Sequence, residues 1–384
     1  MHIALNGWFW DQPHTGSGQY LRQLLTALQK LDPTLRLSLV VPDQMHTLDS
    51  LPPDVDVLPI QTSLKGHPGK VWFEQRAFPQ AVTRLRADIA HVPYWGPPLR
   101  VSCPLVVTVL DVIPIAIPEY RAGFTNRLYT SLVSAAAKGA AHVLTISNDS
   151  QRDITRHLGI PPERISVTYL AVDRAFQPEP DGERDKAVHQ RYHLPDDFVL
   201  YLGSYAVHKN VRLLLAAYTY VAQGLGADFP LVLAGHTPGT WGTPRFPDLP
   251  AQIEAMGLKD YVHWIGPVEE MDKPSLYRLA KVFVFPSRYE GFGLGPLEAM
   301  ASGTPVVACN ISSIPEVTGD AAFLVEPNDS RAMGGAVLSL VVNEDFAALM
   351  RNRGLARARD FSWRQTAEKT LAVYHQVLKA SQKE

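Results

Sequence analysis

The stretch RYEGFGLGPLEAMASGTPVV, residues Arg288–Val307, decides how this chain of 384 residues is interpreted. It holds two acidic residues, Glu290 and Glu298, with glycine at positions 291, 293 and 295 between them. The segment before it, VFVFPS, has the composition of a buried strand. PLEAMASG is a candidate short helix with Pro296 at its first position, where a missing N–H costs nothing. RYEGFGLG is therefore predicted to join the carboxyl end of a strand to the N-terminus of a helix.

A loop of this kind can hold a phosphate group, because the free N–H groups and the positive end of the helix dipole attract anions. Its glycines let the backbone approach a ligand closely. Glu298, in the first predicted turn of the helix, could contact a ribose or cap the helix, and Glu290 could reach a polar ligand above the sheet. An ordinary glycine-rich loop with a capping glutamate has the same pattern, so the stretch alone leaves both interpretations open.

A second segment has the same form. YLGSYAVHKN, Tyr201–Asn210, runs from a strand end through Gly203 into a turn and then a helix. Lys209 would lie just before that helix, where its charge could neutralise a diphosphate. A solvated lysine at a helix start is the alternative, but two such turns in one domain favour a shared site.

A third glycine-containing turn lies near the N-terminus. PHTGSGQY, Pro13–Tyr20, contains Gly16 and Gly18 and precedes a helix. It nearly matches the dinucleotide fingerprint, but Leu21 stands at the position of the third glycine, so it is weak as a nicotinamide motif. We interpret it as a flexible wall of a ligand cleft.

Composition and charge limit the classes of function. Hydrophobic residues make up 46% of the sequence and charged residues 19%, which is enough apolar material for two cores. The net charge of −2 argues against a nucleic-acid protein held by a broad basic field. The two cysteines, Cys103 and Cys309, are far apart, which fits a reducing compartment without a disulfide framework. With no signal-peptide pattern and no apolar run of roughly 20 residues, the sequence predicts a cytoplasmic protein.

The sequence predicts no metal site. Its 13 histidines show no His-Glu-x-x-His spacing. Asp54 and Asp56 have the Asp-x-Asp form of some metal–diphosphate sites, but they lie in an alternating strand pattern that favours surface charges. The absence of a Gly-x-Ser-x-Gly elbow argues against an esterase of that type.

Short strand-like runs alternate with helical patterns along the chain, which predicts an α/β fold with mostly parallel sheets. Helices are predicted over Tyr20–Leu31, Asn126–Lys138 and Asp149–Leu158, and from about Val211. The predicted domains are residues 1–176, a polar linker at 177–195, a second domain at 196–362 and a closing helix at 363–384. Ligands of such sheets bind beyond the carboxyl ends of the strands, so the cleft between the two domains is the predicted site.

The stretch YEGFGLGPLEAMASGTPVVACNISSIPEV resembles the signature of the retaining glycosyltransferases of family four. TGSGQYLRQLLTAL is similar to the family's N-terminal glycine loop and helix. Further matching segments follow in the expected order: HVPYW, VVTVLDVIPIAIPE, VLTISNDSQRDI, YLGSYAVHKNVRLLLAAY and the closing FSW. Within the family, the chain is most similar to bacterial mannosyltransferases that build surface polysaccharides. The resemblance implies the GT-B fold: two Rossmann-like domains facing across a cleft, with a C-terminal helix crossing back to the N-terminal domain.

The resemblance also implies a nucleotide-sugar site. Lys209 would hold the diphosphate, Glu298 the ribose hydroxyls, and Glu290 would lie against the transferred sugar. The implied donor-binding residues are Gly16, Gly18, Gly203, Ser204, Lys209, Gly291, Phe292, Gly293, Leu294 and Glu298, of which the first two would close over the donor from the N-terminal domain. Asp111 joins Glu290 and Lys209 as a candidate catalytic residue. The family needs no catalytic metal, and no cofactor is expected beyond the nucleotide sugar as co-substrate.

Two positions depart from the family pattern. The family usually has His-Asp where this chain has Leu110 and Asp111, and that histidine normally contacts the donor sugar or lies near the reaction centre. The family also often has an arginine beside the diphosphate, and the corresponding residues here are Ser204 and His208. Lys209 would then carry more of the positive charge.

The expected function is retaining transfer of a hexose to a glycan or lipid-linked glycan acceptor, with GDP-mannose as the first-choice donor. Leu110 keeps an alternative open: a catalytically weak protein of the same fold that binds nucleotide sugar or glycan as a partner subunit. A sugar-nucleotide epimerase or a phosphorylase is a further alternative. Four scattered cations, Lys65, Lys70, Arg121 and Arg127, could form a peripheral contact at the inner face of the membrane, although such cations more often form an ordinary solvated surface.

Overall fold

The structure, a computed structural model, describes residues 1–45, 51–62, 64, 66–120 and 124–382. The chain divides into two compact units. The first unit contains Met1–Leu170 and the chain from Ser362 onward, and the second contains Ala171–Phe361. The second unit is therefore a continuous stretch inserted between two parts of the first.

The first unit is built on a parallel sheet. Within its described residues the sheet has seven strands in the order β3-β2-β1-β4-β5-β6-β7. The strands are β1 (His2–Asn6), β2 (Arg36–Pro42), β3 (Val55–Ile60), β4 (Ile89–Val92), β5 (Leu105–Thr108), β6 (His142–Thr145) and β7 (Ile165–Val167). This is the doubly wound order, with a switch point between β1 and β4.

Helices cover this sheet. They are α1 (Gly16–Leu31), α2 (Gly66–Trp72), α3 (Phe78–Leu85), α4 (Ile113–Ala116), α5 (Phe124–Gly139), α6 (Asn148–Leu158) and the closing helix α15 (Trp363–Ser381), with a π-helical turn at Phe73–Ala77. The predicted helices at 126–138 and 149–158 are confirmed with small extensions.

The first helix begins earlier than predicted. Thr15 caps α1 by accepting a hydrogen bond from the Gly18 N–H at 3.1 Å, so the helix starts at Gly16 rather than at Tyr20. The two glycines therefore lie in the first turn of the helix. A Cβ added at Gly18 would lie 2.1 Å from the Gln12 carbonyl oxygen, whereas one at Gly16 would meet nothing within 4 Å. Close packing thus requires the glycine at position 18 and not at position 16.

The closing helix belongs to the first unit, as the resemblance implied. Ser362 caps it by accepting a hydrogen bond from the Gln365 N–H at 3.2 Å. Tyr374 is buried, and the Tyr374 hydroxyl lies 2.6 Å from Nδ1 of His91 in β4. Burial lowers the pKa of His91 to about 3, which favours the neutral ring.

The second unit repeats the doubly wound order. Its described strands form a six-stranded parallel sheet in the order β10-β9-β8-β11-β12-β13. The strands are β8 (Val199–Leu202), β9 (Leu231–Ala234), β10 (Val262–Gly266), β11 (Val282–Phe285), β12 (Val306–Cys309) and β13 (Phe323–Val325). The switch point lies between β8 and β11, whose carboxyl ends are neighbours.

The helices of this unit include the predicted helix from Val211. They are α7 (Gly182–Arg191), α8 (Val211–Leu225), α9 (Leu249–Ala255), α10 (Lys273–Leu279), α11 (Leu294–Ala301), α12 (Ile314–Thr318), α13 (Ser330–Val342) and α14 (Glu344–Ala358). Helix α7 lies in the segment predicted as a polar linker. Its residues Arg184 and Arg191 bind Asp272 at 3.2 and 2.6 Å, so this segment is part of the second unit.

We expect Gly18→Ala to destabilise the protein by about 1–3 kcal/mol, since the new methyl group has no room beside the Gln12 carbonyl. Gly16→Ala is the matched control and should be neutral or stabilise by up to about 1 kcal/mol. Urea unfolding of both variants checks this. Equal stability of the two variants would contradict the tight packing at position 18.

Candidate functional site

The turn after β8 holds Lys209. The strand ends at Leu202, and a 3₁₀ turn over Val207–Lys209 leads through Asn210, in a left-handed conformation with φ of 54°, into α8. The predicted position of Lys209 just before the helix is thus confirmed. The chain is held at Gly203, whose N–H donates to the Ala234 carbonyl at 3.0 Å.

The neighbouring residues of this turn are tightly arranged. The Tyr201 hydroxyl donates to the Ser204 carbonyl at 2.5 Å. A Cβ at Gly235, which follows β9, would lie 2.0 Å from the Gly203 carbonyl oxygen. Gly203 and Ser204, both predicted to bind the donor, therefore lie in a closely packed turn that follows the carboxyl end of β8.

The loop after β11 holds Glu290. It connects Phe285 to α11, which begins at Leu294 behind Gly293 with φ of 108°. The sequence predicted a start at Pro296, and this was wrong: Pro296 is the third residue of the helix. The reason is Gly293, whose left-handed conformation lets the chain enter the helix two residues earlier.

Lys209 and Glu290 meet although they are 81 positions apart. Lys209 Nζ donates to Glu290 Oε1 at 2.6 Å, and the side chains are 19% and 12% exposed. The ammonium group also lies 5.5 Å from the centre of the Phe285 ring. Parallel strands β8 and β11 are neighbours, so their following loops place the two groups at one edge of the sheet.

Two serines that the sequence did not single out hold the Glu290 loop. The hydroxyls of Ser312 and Ser313 donate to the Glu290 carbonyl at 2.8 and 2.9 Å, and Ser313 also lies 2.8 Å from the Phe292 carbonyl. Phe292 is buried, with its ring 5.7 Å from that of Phe361. These contacts fix the backbone of the glycine-rich loop. Their signal was the pair of serines within the stretch that resembles the family signature.

Glu298 lies in the second turn of α11 and not in the first, because the helix begins at Leu294. It therefore does not cap the helix. The side chain is buried and its Oε2 accepts a hydrogen bond from the Tyr277 hydroxyl at 2.9 Å. Burial raises the pKa of Glu298 to about 7, while the charge of Lys273 and the hydrogen bond from Tyr277 act in the opposite direction. The sequence missed Tyr277, which comes from α10.

Three predicted site residues, Gly16, Gly18 and Asp111, lie in the first unit, whereas Gly291 lies in the second. Gly16 and Gly18 form the first turn of α1, as described. Asp111 follows β5, and its Oδ1 accepts a hydrogen bond from the Ile113 N–H at 2.9 Å, at the start of α4. The carbonyl of Leu110, which stands in place of the family histidine, accepts a hydrogen bond from the Ser150 hydroxyl at 3.2 Å.

The structure also bears on metal and membrane contacts. Among the described residues, no group of three or more His, Cys, Asp or Glu side chains is placed to hold a metal ion.

In the same part of the chain, no single helix is long and apolar enough to cross a bilayer. One bent pair of helical segments, Ser330–Val342 and Glu344–Ser381, reaches that length and composition when the two are taken together. Lys65 and Arg121 lie outside the described residues. Lys70 is paired with buried Glu74 at 2.7 Å.

Comparisons with known proteins match both units. The family described as Glycosyltransferase Family 4 matches residues 14–176, and the family described as Glycosyl transferases group 1 matches residues 184–357. The O-antigen chain mannosyltransferase B of Escherichia coli is 34% identical over 288 residues, which is 74% of each chain. The chain spans less than half the length of three longer mannosyltransferases of the same species that it also matches.

Solved structures share the fold. The sucrose-phosphate synthase of Thermosynechococcus elongatus has a TM-score of 0.77 at 21% identity, covering 99% of this chain and 100% of that one. Anabaena HepE in complex with UDP and glucose has a TM-score of 0.73 at 18% identity, covering 98% and 100%. The two doubly wound units, the similarity to these solved structures and the family matches define a glycosyltransferase of the GT-B fold. The chain belongs to glycosyltransferase family 4.

The raised pKa of Glu298 predicts a pH effect on stability. A carboxyl with a raised pKa binds its proton more tightly in the folded state, so its contribution is fully present below 4.5 and is lost as the pH rises through about 7. We expect Glu298→Gln to be more stable than the unsubstituted protein at pH 8, by on the order of 1–3 kcal/mol, with the difference shrinking towards pH 4.5.

Urea unfolding at both pH values checks this expectation. Glu254→Gln, at an exposed site on α9, is the control and should show no such pH-dependent difference. If Glu298→Gln lost stability equally at both pH values, burial of an ionisable carboxyl would not be the cause.

Proposed function

We propose that this glycosyltransferase moves a hexose, with mannose from GDP-mannose as the first-choice donor, to a glycan or lipid-linked glycan acceptor, with retention of configuration and without a catalytic metal. The contact between Lys209 and Glu290 at the switch point of the second unit supports the proposal most directly. It combines a cation suited to a leaving phosphate with a carboxylate suited to sugar hydroxyls. The mannosyltransferase named among the relatives supports the choice of mannose.

The site would act mainly on the leaving group. Glycosyl transfer passes through an oxocarbenium-like state as the bond from the sugar C1 to the phosphate oxygen breaks, so groups that stabilise negative charge on the diphosphate lower the barrier. Lys209 would contribute its ammonium group. The N-terminal amides of α11, reached through the open backbone at Gly293, would contribute hydrogen bonds.

Retention would follow from attack on the face that the diphosphate leaves. In this step the acceptor oxygen bonds to C1, the C1–phosphate bond breaks, and the acceptor proton passes to the departing phosphate oxygen. Glu290 would hold hydroxyls of the transferred sugar. Glu298 would accept hydrogen bonds from the ribose with the oxygen that Tyr277 does not occupy.

The donor is tested by a thermal-shift panel with GDP-mannose, UDP-glucose, UDP-N-acetylglucosamine, UDP-galactose, dTDP-rhamnose and NAD. A ligand that binds only the folded state stabilises it by roughly 2.7 kcal/mol at a hundredfold excess over Kd. We expect GDP-mannose to give the largest shift and NAD none. A larger shift with a uridine nucleotide sugar would show that this compound, and not GDP-mannose, is the preferred donor. No shift with any sugar nucleotide would contradict the proposal.

The role of Lys209 is tested by substitution. We expect Lys209→Ala to weaken binding of GDP-mannose by about a hundredfold, because a charged hydrogen-bond donor to the diphosphate is lost. Calorimetric titration measures the affinity. Lys281→Ala is the matched control: Lys281 precedes β11 in the same unit and pairs with Asp197 at 3.0 Å on the surface. Unchanged affinity in Lys209→Ala would remove Lys209 from the site.

A further inference from the structure

The Lys209–Glu290 pair alone lacks the positive charge that suits a nucleotide-sugar diphosphate. That ligand belongs to the proposed function, on which this inference rests. Lys209 Nζ lies 2.6 Å from a Glu290 carboxylate oxygen, so the pair as a whole carries no net charge. A nucleoside diphosphate brings about two negative charges, and phosphates are held in proteins by cations and N–H groups. Further positive charge beside the same turn would therefore favour binding of this ligand.

Two loops form backbone hydrogen bonds with the turn that carries Lys209. On one side, the Val207 N–H donates to the carbonyl of Arg245 at 2.8 Å. On the other side, the N–H of Arg288 donates to the His208 carbonyl at 2.8 Å. The two loops follow β9 and β11, the strands on either side of β8, so each brings one arginine to the same edge of the sheet.

The charges of both arginines act at this turn. Burial lowers the pKa of His208 to about 4, and the charge of Lys209 is the next cause. Arg245 and Arg288 lower the same pKa, against the opposing effect of Glu290. Both arginines have exposed side chains, and the Arg245 guanidinium lies 5.3 Å from the centre of the Phe246 ring.

We propose that Arg245 and Arg288 bind the diphosphate of the donor together with Lys209. The two backbone hydrogen bonds place both residues beside the turn. Guanidinium groups suit this task because their planar fork can donate two parallel hydrogen bonds to phosphate oxygens, which an ammonium group cannot do. In this arrangement Lys209 keeps its contact with Glu290, and the arginines provide the net positive charge that attracts the ligand.

The test measures calorimetric affinities for GDP and UDP, with GMP and UMP as the matching monophosphates. We expect Arg245→Ala and Arg288→Ala each to raise the Kd for the preferred diphosphate by about tenfold, and the double variant by more. The preference for diphosphate over monophosphate and the salt dependence of binding should fall with each substitution. Arg245→Lys and Arg288→Lys should retain part of the affinity because they keep the charge.

Arg331→Ala is the matched control, since Arg331 is exposed on α13 of the same unit. The arginine role is overturned if Arg245→Ala and Arg288→Ala bind the diphosphate as tightly as Arg331→Ala does. If Lys209→Ala binds weakly in the same experiment, Lys209 remains part of the donor site. A loss in only one of the two arginine variants overturns the role of the other. If the unsubstituted protein binds neither diphosphate, both the proposed function and this inference fail. Melting curves of all variants separate lost binding from lost folding.

Discussion

The ion pair between Lys209 and Glu290 depends on one constraint, the parallel pairing of β8 with β11. Neighbouring parallel strands end at the same edge, so loops far apart in sequence become adjacent in space. The switch point leaves that edge open, because the chain turns away from it on both sides. A cation, a carboxylate and a helix N-terminus can then share a small volume without a special fold for each. The hydrogen bonds from the hydroxyls of Ser312 and Ser313 to the Glu290 carbonyl hold this loop in place.

Much of the fold was predictable, because the signals were local. The apolar runs that became β8 and β11, and the leucine spacing of α1, reflect burial on one strand or one helical face. The place of Lys209 before α8 followed from the order strand, glycine, turn, helix. The return of the last helix to the first unit came from the resemblance, since no local pattern says which unit a closing helix joins.

The rest was not predictable, since it depends on individual backbone conformations and on tertiary contacts. The start of α11 depended on the left-handed conformation of Gly293, which a run of alternating glycines does not single out. The burial of Glu298 depended on Tyr277, which lies on another helix. The approach of Arg245 to the Lys209 turn depended on a loop after β9 that carries no recognisable motif. The Arg245 contact follows from the sheet order, because β9 lies beside β8.

The closing helix affects how the protein is made. The chain leaves the first unit after Leu170 and returns to it at Ser362, so the first unit has its full set of residues only when α15 has been synthesised. Until then His91 lacks the Tyr374 hydroxyl that lies beside it in the finished protein. The second unit is continuous from Ala171 to Phe361 and has all its residues earlier. Domains generally fold as units when their residues emerge from the ribosome. The first unit, whose synthesis begins before that of the second, is therefore completed after it.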